Sequence, residues 1–246
     1  MIMEKNTLLL TVFAAVGLLS CKEDKNKPAA QQALLMAVNA APQAGPVNVV
    51  YNDRKRVNKL PYGSYSNRYG NAYRSITTLD TDDLMVETED GKVVIADNLC
   101  VEQGKKYSLF IYDTLQGSPS RLNYSLVPDN IPAPAIGQAQ VRFLHLSPDA
   151  APVLVDIFKE TDSVRLTATP MPYLANIRKP AEVAGFKPVK GGVYQVKVKQ
   201  LHGDIMETIL DIPRVKLADR GTITLYLKGL MNGQPPYSLD LGLIRH

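Results

Sequence analysis

Apolar and polar residues alternate in short runs that recur roughly every ten residues from Ala33 onward, the period-two pattern of half-buried strands. The runs predict strands at 33–39, 47–51, 73–77, 84–88, 93–101, 106–112 and 122–127. They resume at 141–145, 153–158, 192–200, 205–210, 222–228 and 237–244. Turn formers stand between them: Asn52-Asp53, Pro61-Tyr62-Gly63, Glu89-Asp90-Gly91 and Gln116-Gly117-Ser118-Pro119. Asp90-Gly91 supplies the positive φ that a tight hairpin needs. No long stretch keeps a 3.6-residue period, so the pattern predicts an antiparallel sandwich. In one strand Tyr194, Val196 and Val198 alternate with Val193, Gln195, Lys197 and Lys199, which gives it one wet face. Ala181 to Pro188 fits a strand or an irregular loop.

Residues 140–158, QVRFLHLSPDAAPVLVDIF, join two such strands through a Ser-Pro-Asp turn, and 34–51 is a fainter copy. Pro42, Ala44, Pro46, Val47 and Val49 match Pro148, Ala150, Pro152, Val153 and Val155, each 106 positions on (148 − 42). Self-similarity at this period predicts an all-β protein of two tandem antiparallel β-sandwich domains, immunoglobulin- or transthyretin-like, at 33–127 and 139–246. Each is about 100 residues, enough to bury a core without a disulfide. Residues 128–138, with Pro128, Pro132 and Pro134, predict an extended, semi-rigid linker that leaves the domains a limited range of orientations.

Of the 246 residues 45% are hydrophobic and 21% charged, an ordinary globular balance. The net charge of +4 is scattered. The densest basic run, Arg54-Lys55-Arg56 with Lys59, has no nucleic-acid motif around it and reads as a solvated turn, so nucleic acid is not an expected partner. Residues 1–20 read as a signal peptide, with Lys5 ahead of the apolar run Leu8 to Leu19. That run spans about 18 Å as a helix, too short for a bilayer core of about 30 Å.

Leu18-Leu19-Ser20-Cys21 resembles a bacterial lipobox. The resemblance implies acylation of the Cys21 thiol and of its amine after cleavage, and two or more acyl chains anchor stably where one does not. Residues 21–32, with Lys22-Glu23-Asp24-Lys25-Asn26-Lys27, form a charged tether without a core and are expected to stay disordered. The charged run is similar to the surface-export signal of Bacteroidota lipoproteins, which implies the outer membrane and favours its exterior face.

The two copies resemble the domain of unknown function 4397, a family of secreted and lipid-anchored bacterial proteins. His145-Leu146-Ser147-Pro148-Asp149-Ala150 follows the family pattern, with Val155-Asp156-Ile157 one residue late. Tyr62-Gly63-Ser64-Tyr65-Ser66 and the run Leu99 to Tyr107 match two further motifs, the latter weakly repeated at Val215-Lys216-Leu217 and Gly221-Thr222-Ile223. The first copy has Asn39 and Ala41-Pro42-Gln43 where the second has His and Ser-Pro-Asp. The resemblance implies a β-sandwich and no activity.

Candidate chemistry is sparse. His145, Ser147 and Asp149 are triad residue types, but side chains at i and i+2 of a strand stand about 7 Å apart. A turn is the better reading, with Ser147 and Asp149 bonding backbone and His145 satisfying a carbonyl or facing water. Asp80-Thr81-Asp82-Asp83 lacks the spacing of a calcium loop and reads as a solvated turn. His145, His202 and His246 lack zinc-ligand spacing, and no phosphate loop or hydrolase motif occurs. No cofactor, metal or catalytic residue is implied. Tyr62 to Tyr73, YGSYSNRYGNAY, has the composition of an antibody binding loop, and Tyr65, Arg68, Tyr69 and Tyr73 are the candidate binding residues. The alternative keeps Tyr62 and Tyr65 as family core positions. Leu99 and Val101 facing inward would turn the Cys100 thiol outward, opposite Lys216 of the second copy. The chain thus reads as a lipid-anchored envelope module that binds or displays, with a glycan or an envelope protein as partner. A fimbrial or adhesin subunit is the alternative and an envelope enzyme the third reading.

Overall fold

The computed structural model describes residues 32–67, 70–79, 82–116, 121–160 and 162–246. The leader, Cys21, the tether to residue 31, Arg68, Tyr69 and Asp80-Thr81 lie outside the described residues. The first half forms β1 (Gln32–Asn39), β2 (Val47–Tyr51), β3 (Arg54–Leu60), β4 (Ser64–Tyr65), β5 (Arg74–Thr77), β6 (Asp82–Thr88), β7 (Val93–Leu99), β8 (Lys106–Gln116) and β9 (Arg121–Pro128). The second forms β10 (Gln138–His145), β11 (Val153–Lys159), β12 (Asp162–Arg165), β13 (Lys187–Lys190), β14 (Gly192–His202), β15 (Ile205–Leu217), β16 (Thr222–Lys228) and β17 (Asp240–Arg245). The ambiguous stretch resolves into a 3-10 turn, Pro180–Val183, followed by β13.

The strands make four sheets, ordered β4-β1-β8-β9 with β5 also on β1, β3-β2-β6-β7, β13-β10-β16-β17, and β12-β11-β14-β15. The second half thus repeats the strand order of the first. One pair in each half is parallel, β1 with β8 and β10 with β16, among otherwise antiparallel ladders. The chain leaves β1 for the facing sheet, returns as β4 and β5 antiparallel along one edge of β1, and after β6 and β7 in the facing sheet enters along the other edge as β8, in the same direction as β1.

Asn52 and Asp53 both take positive φ, the two-residue turn whose twist suits a hairpin. The chain therefore folds straight back, and the basic run read as a solvated turn is in fact edge strand β3, paired with β2. Charged residues on an exposed edge discourage pairing with other chains, which explains their density here.

Three apolar layers hold the sheets together. Leu35, Val47, Val49, Leu84, Val86, Leu109 and Ile111 pack between the two sheets of the first half. Val141, Val153, Val155, Val196, Val198 and Leu225 do the same in the second. The third layer joins the halves: Met36, Val38, Phe110, Tyr112 and Val127 meet Leu144, Leu146, Tyr226 and Ile244. The central sheets are therefore buried on both faces and the molecule is a four-layer stack. Asp129, just past β9, is 5% exposed and sits in this seam, while Ile131 to Gly137 run largely at the surface.

Candidate functional site

The Ser-Pro-Asp turn is a structural clasp. The Ser147 backbone N–H donates to Nδ1 of His145 at 3.3 Å, which places the imidazole proton on Nε2, 3.2 Å from the carbonyls of Ala150 and Ala151. Burial holds this imidazole below its ordinary pKa, so it stays neutral. The Ser147 hydroxyl donates to the Gly229 carbonyl at 2.7 Å, and the Asp149 carboxylate accepts the Met231 N–H at 3.0 Å. A hydroxyl tied to a carbonyl and a base facing away from it make no activated nucleophile. Asn39 of β1 makes the same clasp 106 positions earlier, donating to the Gly45 carbonyl and accepting the Ala41 N–H.

The tyrosine-rich stretch lines the seam. Tyr62 packs edge-on against Tyr237, and the Lys228 ammonium lies 5.2 Å from its ring centre. The Tyr226 hydroxyl crosses the seam to donate to the Gly63 carbonyl. Tyr65 stands opposite Val38 in the ladder and packs on the seam layer, with its hydroxyl beside Asn67. Tyr73 is committed to a buried network: its hydroxyl donates to Asp129 at 2.9 Å and accepts from Nδ1 of His246 at 2.8 Å. Burial and the Asp129 charge push this phenol far above its ordinary pKa. Of the four candidate binding residues, Tyr65 and Tyr73 are thus brought to one face, and Arg68 and Tyr69 fall outside the described residues.

At the centre of that network Arg142, 1% exposed, pairs with Asp129 at 2.8 Å. Its Nε donates to Thr224, whose hydroxyl bonds Nε2 of His246, and Ser108 donates a further bond to Asp129. The guanidinium also lies 4.6 Å from the Phe186 ring centre. A neutral His246 with its proton on Nδ1 donates to the Tyr73 hydroxyl and accepts from Thr224, while Asp129 accepts from Tyr73, Ser108 and Arg142. Removing one partner of such a buried pair costs about 3–5 kcal/mol, because the other charge is left uncompensated.

Two of the open spaces lie at matching sandwich edges. In the first half a cleft of about 610 Å³ runs between β3 and the β4–β5 edge, lined by Lys55, Arg56, Lys59, Ser64, Asn67 and Arg74. The matching edge of the second half has a cavity of about 430 Å³ walled by Leu166, Met171, Val183 and Phe186. There β13 covers only Gln138 to Val141, whereas in the first half β4 pairs with Val38 and Asn39. The acidic run contributes Asp82, whose carboxylate accepts from Asn52 and from the Leu79 N–H as a turn brace. Cys100 is exposed immediately beyond β7. No sequence signal pointed to the seam network, because Asp129, Arg142, Thr224 and His246 are far apart in the chain and match no motif.

Residues 33–156 match the family described as Domain of unknown function, DUF4397. The match covers just over half of the chain, running through the first half and into β11. No curated protein matches the chain. Among solved structures, a family 26 carbohydrate-binding module of Eubacterium rectale Amy13K, in complex with maltoheptaose, is similar at 10% identity. It covers 87% of this chain and 97% of its own, with a TM-score of 0.24. A leucine-rich repeat protein from Bacteroides thetaiotaomicron is similar at 12% identity, covering 78% of this chain and 25% of its own, with a TM-score of 0.19. Superpositions this loose carry no functional argument.

Proposed function

The chain belongs to the DUF4397 family, and from that kinship together with the edge cleft we propose a lipid-anchored envelope module of two tandem copies that binds or displays a ligand without catalysis. The observation that carries this reading is the cleft of about 610 Å³, beside the finding that His145, Ser147, Asp129 and Arg142 are engaged in holding turns and strands. Tandem copies are supported by the repeated strand order and by Asn39 and His145 making equivalent clasps 106 positions apart. The lipobox-like Leu18-Leu19-Ser20-Cys21 supports anchoring through acylated Cys21, and the charged tether supports the outer membrane as the address.

A paired first half speaks against a fimbrial subunit. β1 is hydrogen-bonded on both edges, by β4 and β5 on one side and β8 on the other, so this sheet needs no strand from a neighbouring subunit.

Fractionation of cells expressing the full chain tests the anchor. Wild type is expected in the detergent-soluble membrane fraction and Cys21→Ser in the aqueous one. Equal partitioning of the two would remove the lipid anchor from the reading.

A further inference from the structure

The cleft beside β3 has an unusual charge arrangement for a protein surface. Its lining residues include four cations, Lys55, Arg56, Lys59 and Arg74, and no carboxylate. Two irregularities in β3 aim them. Val57 pairs with Val49 and Lys55 with Val50, leaving Arg56 as an extra residue in the ladder. Leu60 pairs with Val47, leaving Asn58 and Lys59 opposite Asn48 alone, with Lys59 at positive φ. Bulges bend a strand and redirect side chains, and here two in seven residues splay the edge open.

Arg56 is the residue left without an answer. Its Nε is shut off from solvent and has no hydrogen-bond partner, and among the described residues no carboxylate pairs with it. The other cations are partly engaged: Lys59 with Glu89 at 2.8 Å, Lys55 with Glu87 at 4.0 Å, and Arg74 with the carbonyls of Asn71 and Tyr73. A guanidinium offers five donors in a planar fork, and leaving part of that fork desolvated and unpaired is costly without a ligand. Asn58, Ser64 and Asn67 line the same cleft and offer amide and hydroxyl groups to neutral polar partners.

We infer that this cleft binds an acidic saccharide, its sulfate, phosphate or carboxylate on Arg56 and its hydroxyls on the surrounding amides and Ser64. The inference rests on the binding-module reading and names the ligand class for its cleft. The two Nη groups of Arg56 are not shut off in this way, and an oxyanion meeting them from the cleft makes charge-assisted hydrogen bonds, with Lys55, Lys59 and Arg74 supplying the surrounding positive field.

The test uses the full chain carrying Cys21→Ser, titrated by calorimetry with dextran sulfate, polygalacturonate, uncharged dextran and inorganic sulfate. Binding to one or both acidic polymers, weakening as salt rises and falling about tenfold or more in Arg56→Gln, is expected. Lys187→Gln, on the far half, should leave it unchanged, and circular dichroism checks that both variants are folded. Equal losses in the two variants would mean diffuse adsorption and overturn the site. Dextran binding as tightly as its sulfated form would overturn the acidic ligand while leaving the binding module in place. A response to inorganic sulfate alone would leave a small-ion site and overturn the saccharide. Silence toward all four probes would overturn this inference and leave the binding-module reading standing for ligands of other chemistry.

Discussion

His145 shows how one residue type can suggest chemistry and perform structure. Its two ring nitrogens close the turn after β10, one taking the Ser147 N–H and the other donating to the Ala150 and Ala151 carbonyls. Asn39 closes the first-half turn with an amide oxygen and nitrogen in the same places. A carboxamide should therefore serve at either position. His145→Asn is expected to keep most of the stability, and His145→Ala to lose about 1–3 kcal/mol through orphaned buried backbone groups, measured by urea unfolding. Equal losses in the two variants would mean that ring packing, not the pair of hydrogen bonds, holds the turn. Sequence alone supplied the turn and the alternatives for this imidazole. It could not choose a bonded over a solvated ring, because the choice depends on where residues 150 and 151 return.

Among the elements, the contrast between β14 and the central strands carries the lesson. β14 alternates, burying Tyr194, Val196 and Val198 while its other face stays partly wet, as the pattern predicts. β1, β8, β10 and β16 bury both faces; β1 and β8 show the near-continuous apolar runs of doubly covered strands, whereas β10 and β16 place Arg142 and Thr224 on the covered seam face. That second buried face leaves little room. Gly242 of β17 lies opposite Tyr226, and a methyl group there would collide with the aromatic ring. The ring cannot move outward freely, since Phe110 lies 6.2 Å away across the seam and the hydroxyl is held by Gly63. Gly242→Ala is expected to cost about 1–3 kcal/mol by overpacking and to lower the thermal midpoint. An unchanged midpoint would show that β17 is free to lift away from the seam.

At the scale of the whole molecule, stability depends on pH through the seam. Burial holds His246 down to about 4, with Asp129 opposing and Arg142 and Lys106 assisting that shift. In the unfolded chain an imidazole takes up its proton near pH 6.5. Between these values the unfolded state binds more protons, so stability is full above about pH 6.5 and is lost as pH falls toward 4. The loss is at most about 3 kcal/mol, and the buried His145 acts in the same direction. Urea midpoints at pH 7 and pH 4.5 should differ accordingly, and His246→Gln should narrow the gap. A gap unchanged in His246→Gln would place the pH dependence elsewhere. What the sequence determined by itself was local: most strand positions and the Asp90-Gly91 hairpin follow from alternation and turn chemistry, which act between near neighbours, whereas Cys100 is exposed past the end of β7 and not on a strand face. β3 escaped because its bulges and charges break the alternation, and the cleft escaped with it. The face-to-face seam and the Asp129–Arg142–His246 network were decided only by tertiary structure, since buried polar groups find partners through space and leave no period in the chain.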